Sequence, residues 1–410
     1  MTETATRLGS GRLSPTIEAP AGVTTSVHEL GTADGATATG VLRTPRGAKA
    51  VVTLMHPRQD VTHHPLVPYL LTMGYAVWTQ GSRSPNNDLN LLHEQAIIDF
   101  AAGQVLLRET GFTKVYTLGH SGGGTLVAFY CQQAGLAPGA RLRATPSGRP
   151  VPLADTEMPM PDGCIFLAPH PGQGALLRRL IDPSVVNESD PLSLDHDLDA
   201  FNPANGFRAA PQSSSYDDAF ITRYRVAQEA RVRRLDEQAR QWVADAREAN
   251  RAFKSHGEDG DRRRAIAPRL LTVFRTDADL RTVDLSLDPS ERPYGSLFGR
   301  RPDLTNYGLV GFGRLSTAEA WLSTWSALST NADFIRCAPG VTIPTLLLEF
   351  TGDQACFPAD IARMRSALGA PELTVDAVPG THFGGPITAG RPSGTSLAAA
   401  KIATWLANHP

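Results

Sequence analysis

Three residues far apart in the chain have the types needed for acyl chemistry at a hydroxyl: Ser121 in Gly119-His120-Ser121-Gly122-Gly123, Asp353 in TGDQ and His382 in GTHF. A serine hydroxyl attacks a carbonyl only when a base takes its proton, and a carboxylate behind the base fixes its tautomer and stabilises its cation. The segment KVYTLGHSGGG reads as a strand running through a G-x-S-x-G turn into a helix, the setting of a nucleophile elbow. Such a turn strains the serine backbone, and the helix start beside it favours developing negative charge. Glycine is required at 119 and 123 if strand and helix approach too closely for a Cβ. Asp353 follows the run PTLLLEF and His382 follows ELTVDA, so both leave the carboxyl ends of strands, in the order serine, acid, histidine. Glu349 competes for the acid role but lies inside its strand pattern.

Placing these residues together requires a sheet. From residue 23 the chain alternates β-branched runs with helical patterns, which predicts an α/β fold with a largely parallel sheet. Strands are expected at 24–30, 36–43, 49–55, 75–79, 114–118, 164–168, 344–350 and 372–377, and helices at 65–73, 89–110, 123–134, 358–368 and 395–407. The pattern changes over 171–335. There, residues 217–253 contain no Pro or Gly and carry Phe220, Tyr224, Leu235 and Trp242 near one helical stripe, predicting one long helix or two abutting ones. The charged residues of 222–264 read as a solvated helix face. Ser316-Thr317-Ala318-Glu319 has capping-box spacing, with Glu319 placed to reach back to the Ser316 N–H.

Composition removes several classes. The 410 residues are 41% hydrophobic and 20% charged, and 39 Lys plus Arg against 41 Asp plus Glu leave a net charge of −2. A nucleic-acid or anionic-membrane partner is therefore not expected. Cys131, Cys164, Cys337 and Cys356 are too scattered for a disulfide framework and read as buried thiols. His63-His64 and the run Asp195–Asp199 lack zinc spacing or a calcium-loop pattern, so no metal and no cofactor is expected. No run of about eighteen apolar residues occurs, and the first twenty residues lack the apolar stretch of a secretory signal, giving a cytoplasmic expectation with a mobile segment at 1–22.

The elbow GHSGG, the acid loop TGDQ and the histidine loop GTHF together resemble the α/β-hydrolase fold superfamily, over about 23–170 and 336–410. The resemblance implies a mostly parallel eight-stranded sheet flanked by helices, with 171–335 as a helical cap inserted between the sixth and seventh strands. It also implies Ser121 as nucleophile, His382 as general base and then acid, and Asp353 as the orienting carboxylate. The acyl intermediate needs two N–H donors, one from Gly122 and one from the loop Leu54-Met55-His56-Pro57-Arg58. Pro57 has no N–H, so the second donor is expected at Arg58, whose side chain reads equally as a partner for a substrate carboxylate or as a solvated surface arginine. His56 and His170 stand at the same edge as candidates for substrate contact. Aromatic residues of the cap, Phe312, Trp321 and Trp325 among them, offer apolar lining, though most are expected in the cap's own core. The implied activity is that of a serine hydrolase acting on a partly apolar carboxylic ester or lactone. Acyl transfer or carbon–carbon cleavage of a diketone would use the same three residues. Relatives with Asp at the elbow, the dehalogenases and epoxide hydrolases, fit less well because this chain has Ser121 there, and a non-catalytic module would be expected to lose one of the three. Self-association, if any, is expected through the cap helices.

Overall fold

The computed structural model describes residues 20–85 and 88–409, so most of the expected 1–22 segment lies outside the described residues. The described residues form ten strands: β1 (Thr24–Gly31), β2 (Thr37–Thr44), β3 (Ala50–Met55), β4 (Ala76–Gln80), β5 (Lys114–His120), β6 (Gly163–Leu167), β7 (Leu270–Thr272), β8 (Leu315–Thr317), β9 (Thr345–Gly352) and β10 (Leu373–Thr381). Eight of them form one sheet in the order β1-β2-β4-β3-β5-β6-β9-β10. Only β1 with β2 and β2 with β4 pair antiparallel; β4, β3, β5, β6, β9 and β10 are parallel neighbours. This is the strand arrangement of the α/β-hydrolase fold, and the eight strands begin within a residue or so of where the β-branched runs placed them.

Strands β3, β5 and β6 are buried almost throughout, as continuous apolar runs must be when helices cover both faces. On one face lie α1 (Val67–Thr72) and, at the chain's end, Gly394–Ala407, packing Leu70, Leu71, Ile402 and Trp405 against Val52, Leu118 and Leu348. On the other lie α2 (His93–Glu109) and α3 (Gly122–Ala134), whose Ile97, Phe100, Val127 and Phe129 meet Cys164, Phe166 and Leu347. All four cysteines are buried and free, as expected.

Between β6 and β9 the chain makes α4 (Gln173–Leu180), α5 (Asp218–His256) and α6 (Asp259–Ile266), three single turns α7 (Pro302–Thr305), α8 (Ala318–Ala320) and α9 (Phe334–Cys337), and an antiparallel β7–β8 pair that periodicity had not suggested. α5 is one unbroken helix of 39 residues, about 58 Å long at ~1.5 Å per residue. Asp217 caps it through the Phe220 N–H, and Gly257 ends it in the left-handed region at φ 73°. Its inner stripe includes Gln228, Arg231 and Asp236, which corrects the reading of its charged residues as solvated throughout. Each has partners: Gln228 donates to the Arg179 and Ile181 carbonyls, Arg231 to Glu188 and the Asp182 and Phe274 carbonyls, and Asp236 accepts from Trp321. The expected capping box does not form, and the cap stands one residue later. Thr317 is the cap, accepting from the Ala320 N–H, while Glu319 turns outward to bind Arg149.

The two ends of this segment close on each other through glycine. A Cβ on Gly172 would stand 2.8 Å from the Ala332 carbonyl oxygen, and one on Gly174 2.8 Å from the Ala327 nitrogen. A 3.0 Å bond from the Phe334 N–H to the Pro171 carbonyl completes the junction. The remaining sheet helix before β10 is α10 (Pro358–Ala367), and the C-terminal helix already described is α11.

Candidate active site

Every loop of the site leaves the carboxyl end of a parallel strand: His56 after β3, Ser121 after β5, His170 after β6, Asp353 after β9 and His382 after β10. Ser121 has φ 56° and ψ −124°, a conformation an L-residue adopts only when the surroundings force it. The surrounding glycines supply that force. A Cβ on Gly119 would lie 2.6 Å from the Gly124 Cα, on the helix side of the turn. One on Gly123 would lie 2.7 Å from the Met55 carbonyl oxygen, so this glycine admits β3 rather than its own strand. The Gly122 N–H is the first of α3, with no preceding helical carbonyl to take it.

The three residues singled out in the sequence meet here. Ser121 Oγ is 2.8 Å from His382 Nε2, and His382 Nδ1 donates to both carboxylate oxygens of Asp353 at 2.8 and 2.9 Å. A carboxylate only accepts, so the proton belongs on Nδ1 and Nε2 is left to accept from the serine hydroxyl. Asp353 and His382 are buried, and Asp353 also accepts the Ala355 and Cys356 N–H groups, which fix its rotamer. Glu349 makes no bond to the ring; burial, with Asp353 nearby, pushes its carboxyl above the ordinary range.

Behind the base runs a second line of histidines. The Leu66 N–H donates to His64 Nδ1 at 3.3 Å, His64 Nε2 to His120 Nδ1 at 2.9 Å, and His120 Nε2 to the His382 carbonyl at 2.9 Å. Each acceptor fixes the next tautomer, so the line anchors the His382 backbone. Burial lowers His64 to about 4, which keeps that imidazole neutral at ordinary pH. His120 and His64 are thus structural parts of the site to which sequence reading gave no such role, having weighed His64 only as half of a metal-like pair; their signal was position, His120 within the elbow and His64 in the loop after β3.

Arg58 departs from its expected role twice. Its N–H donates to His56 Nδ1 at 3.1 Å, inside its own loop. Its guanidinium grips Asp88 through two bonds of 2.5 and 2.6 Å and lies 4.9 Å from the Phe312 ring and 4.8 Å from the Trp325 ring. The aromatic faces and the carboxylate hold the cation, leaving it no reach to a substrate carboxylate. His56 and His170 do lie beside the nucleophile, both buried. Burial, and then the charge of His382, lower His170 to about 3.

A cavity of about 410 Å³ opens over Ser121, within the ~300–1,000 Å³ usual for small-molecule sites. Its walls are Leu54, Val61, Leu66, Leu118, Phe350 and Phe383, with His56, Gln59 and His63 as polar points. No residue of 171–335 lines it. Phe312, Trp321 and Trp325 instead fill an internal cluster with residues of α4 and α5. Among the described residues no group of three metal-ligating side chains is found, and no helix is long and apolar enough to cross a membrane.

No protein-family model matches the chain, and no curated protein matches it. Among solved structures, the alpha/beta hydrolase GrgF from Penicillium sp. sh18 is 13% identical with a TM-score of 0.49, over 94% of this chain and 99% of that one. A hypothetical protein from Pseudomonas aeruginosa is 13% identical with a TM-score of 0.49, over 98% and 99%. Est1E from Butyrivibrio proteoclasticus is 10% identical with a TM-score of 0.45, over 93% and 98%.

Proposed function

We propose that this chain is a serine hydrolase that cleaves a partly apolar carboxylic ester or lactone through an acyl-enzyme on Ser121. The observation that carries the reading is the unbroken line from Ser121 Oγ through His382 to Asp353, every link between 2.8 and 2.9 Å. His382 takes the serine proton as Oγ attacks the carbonyl, then returns it to the departing alkoxide. In the second half-reaction it deprotonates water in the same way. Asp353 stabilises the imidazolium without being protonated. The apolar walls of the cavity favour an acyl group or alcohol of moderate size, and the absence of a cationic side chain among them argues against an anionic substrate.

The segment 171–335 is proposed as the cap, acting by support more than by enclosure. It holds the loop after β3 through Arg58, clamped against Phe312 and Trp325. It also holds the start of α2, where Ser323 accepts the His93 N–H and donates to buried Glu94.

The test is turnover of p-nitrophenyl esters from acetate to octanoate by Ser121→Ala. Activity should vanish for every chain length with the thermal midpoint retained, and undiminished turnover would refute the nucleophile. Product ratios with and without added alcohols or thiols distinguish hydrolysis from acyl transfer by the same residues.

A further inference from the structure

An acyl-enzyme mechanism needs a second donor for the oxyanion, and the Arg58 N–H is committed to His56. The surroundings of Gly122 offer another source. A Cβ there would stand 2.3 Å from Gln173 Nε2, 2.9 Å from His56 Nε2 and 3.1 Å from His170 Nε2. Three side-chain nitrogens, one from the loop after β3 and two from the stretch after β6, converge on the residue that follows the nucleophile.

The partners of each ring decide which atoms carry hydrogen. His56 Nδ1 accepts the Arg58 and Gln59 N–H groups, and His170 Nδ1 accepts the Gly172 N–H at 3.1 Å. In the neutral rings Nε2 therefore bears the proton in both. Gln173 is oriented from behind: its Oε1 accepts from His93 Nε2 at 3.1 Å, which turns the NH₂ toward Gly122. That NH₂ is buried and without a hydrogen-bond partner, on a residue 2% exposed. Buried amides in native proteins are almost always paired, so an unpaired one packed against Gly122, the residue that follows the nucleophile, calls for an acceptor that arrives with the reaction.

We infer that Gln173 is a catalytic residue: with the Gly122 N–H, and flanked by His56 and His170, its Nε2–H donates to the oxyanion of the tetrahedral intermediate. The inference rests on Ser121 being the nucleophile. As the bond from Oγ to the carbonyl carbon forms, the π pair moves onto the carbonyl oxygen and the serine proton passes to His382 Nε2. When the pair returns, the bond to the leaving oxygen breaks and that oxygen takes the proton. The charge on the carbonyl oxygen exists only between those events, so a donor aimed at it accelerates turnover without tightening substrate binding.

Gln173→Met keeps approximate length and removes both N–H groups. With p-nitrophenyl butyrate, kcat should fall about 10²- to 10³-fold with KM within about threefold, the loss typical of one oxyanion donor. Affinity for a trifluoromethyl ketone, which adds to Ser121 as an alkoxide, should fall in parallel, while that for the corresponding methyl ketone stays constant. A structural role would weaken both ketones alike. Retention of kcat and of the trifluoromethyl preference, or equal loss for both ketones, overturns the inference. Should Gln173→Met fail to fold, Gln173→Glu keeps the shape and the acceptor for His93, and the trifluoromethyl preference must vanish there too. Ser121→Ala separates the levels: turnover persisting in it refutes the nucleophile itself, whereas a dead Ser121→Ala beside an unimpaired Gln173→Met refutes only the donor.

Discussion

Around Ser121 the cavity walls are Leu54, Val61, Leu118, Phe350 and Phe383, all from the sheet and its loops, whereas residues 171–335 turn Arg231, Arg275, Arg281 and Asp277 inward among themselves. The first region is held by apolar strands whose burial is close to complete. The second has apolar clusters of its own, around Trp321 and Trp325 and around Phe220 and Tyr224, and adds buried charge to them: Arg281 binds Asp279 and Asp360 and lies 3.8 Å over the Phe357 ring, fastening the segment to α10 just past the acid loop. Buried charges are costly to break and specific in direction, so they suit a body that must sit in one orientation. The contrast teaches that this segment meets the site at chosen points, Gln173 and the clamp on Arg58, and leaves the shape of the substrate pocket to the core.

That division can be broken by mutation. The largest effect belongs to the core: Asp353→Asn should lower kcat about 10⁴-fold by losing the tautomer that makes Nε2 an acceptor, with little change in thermal midpoint. If Glu349→Gln were the damaging change and Asp353→Asn mild, the carboxylate would be misassigned. Next comes Arg231→Met in the segment. It strands two carbonyls and Glu188, so chemical denaturation should show a loss of about 3 kcal/mol, with kcat and KM of the folded enzyme nearly unchanged. A loss of catalysis with stability intact would make the segment a direct participant beyond Gln173.

Asp277 gives a pH-dependent effect of opposite sign. Burial raises its carboxyl to about 6 despite bonds from Thr305 and Ser296, and Oδ1 has no partner. Between the unfolded value of 3.8 and about 6 the folded state binds more protons, so this group's contribution to stability falls as pH rises through that window. Asp277→Asn should therefore gain stability relative to the parent on going from pH 4 to pH 8, on the order of 2–3 kcal/mol, read from denaturation at both pH values. A constant difference would contradict the assignment. His64 and His170 work the other way, since their lowered values make stability fall as pH drops below 6.5. The smallest effect sharpens the pocket: Val61→Phe should shift preference toward shorter acyl chains by about tenfold, while Phe312→Leu leaves the chain-length profile alone. A shift from Phe312→Leu would return the segment to the pocket wall.

Much of this was legible in the sequence because it depends on local signals. β-branched runs bounded by turns placed the strands, and the glycines around Ser121 marked a crowded turn, where a Cβ on Gly119 or Gly123 would stand 2.6 or 2.7 Å from neighbouring backbone. What escaped depends on partners distant in the chain. Arg231 looks like any helix-surface arginine until Glu188 and two carbonyls close over it. Gln173 in PHPGQG is one amide among several, and its only signal was a helix start just past the sixth strand of the sheet. Arg58 was expected to act through its N–H because Pro57 precedes it, yet the imidazole two residues back takes that N–H first.

The central claim is an acyl-enzyme on Ser121, and mass spectrometry of an acid-quenched reaction with p-nitrophenyl butyrate tests it directly. The account predicts a single butyryl adduct on the peptide carrying Ser121, formed before steady state and absent from Ser121→Ala. Burst release of p-nitrophenol by the unaltered chain with no adduct on Ser121, or an adduct on another residue that survives in Ser121→Ala, would contradict it.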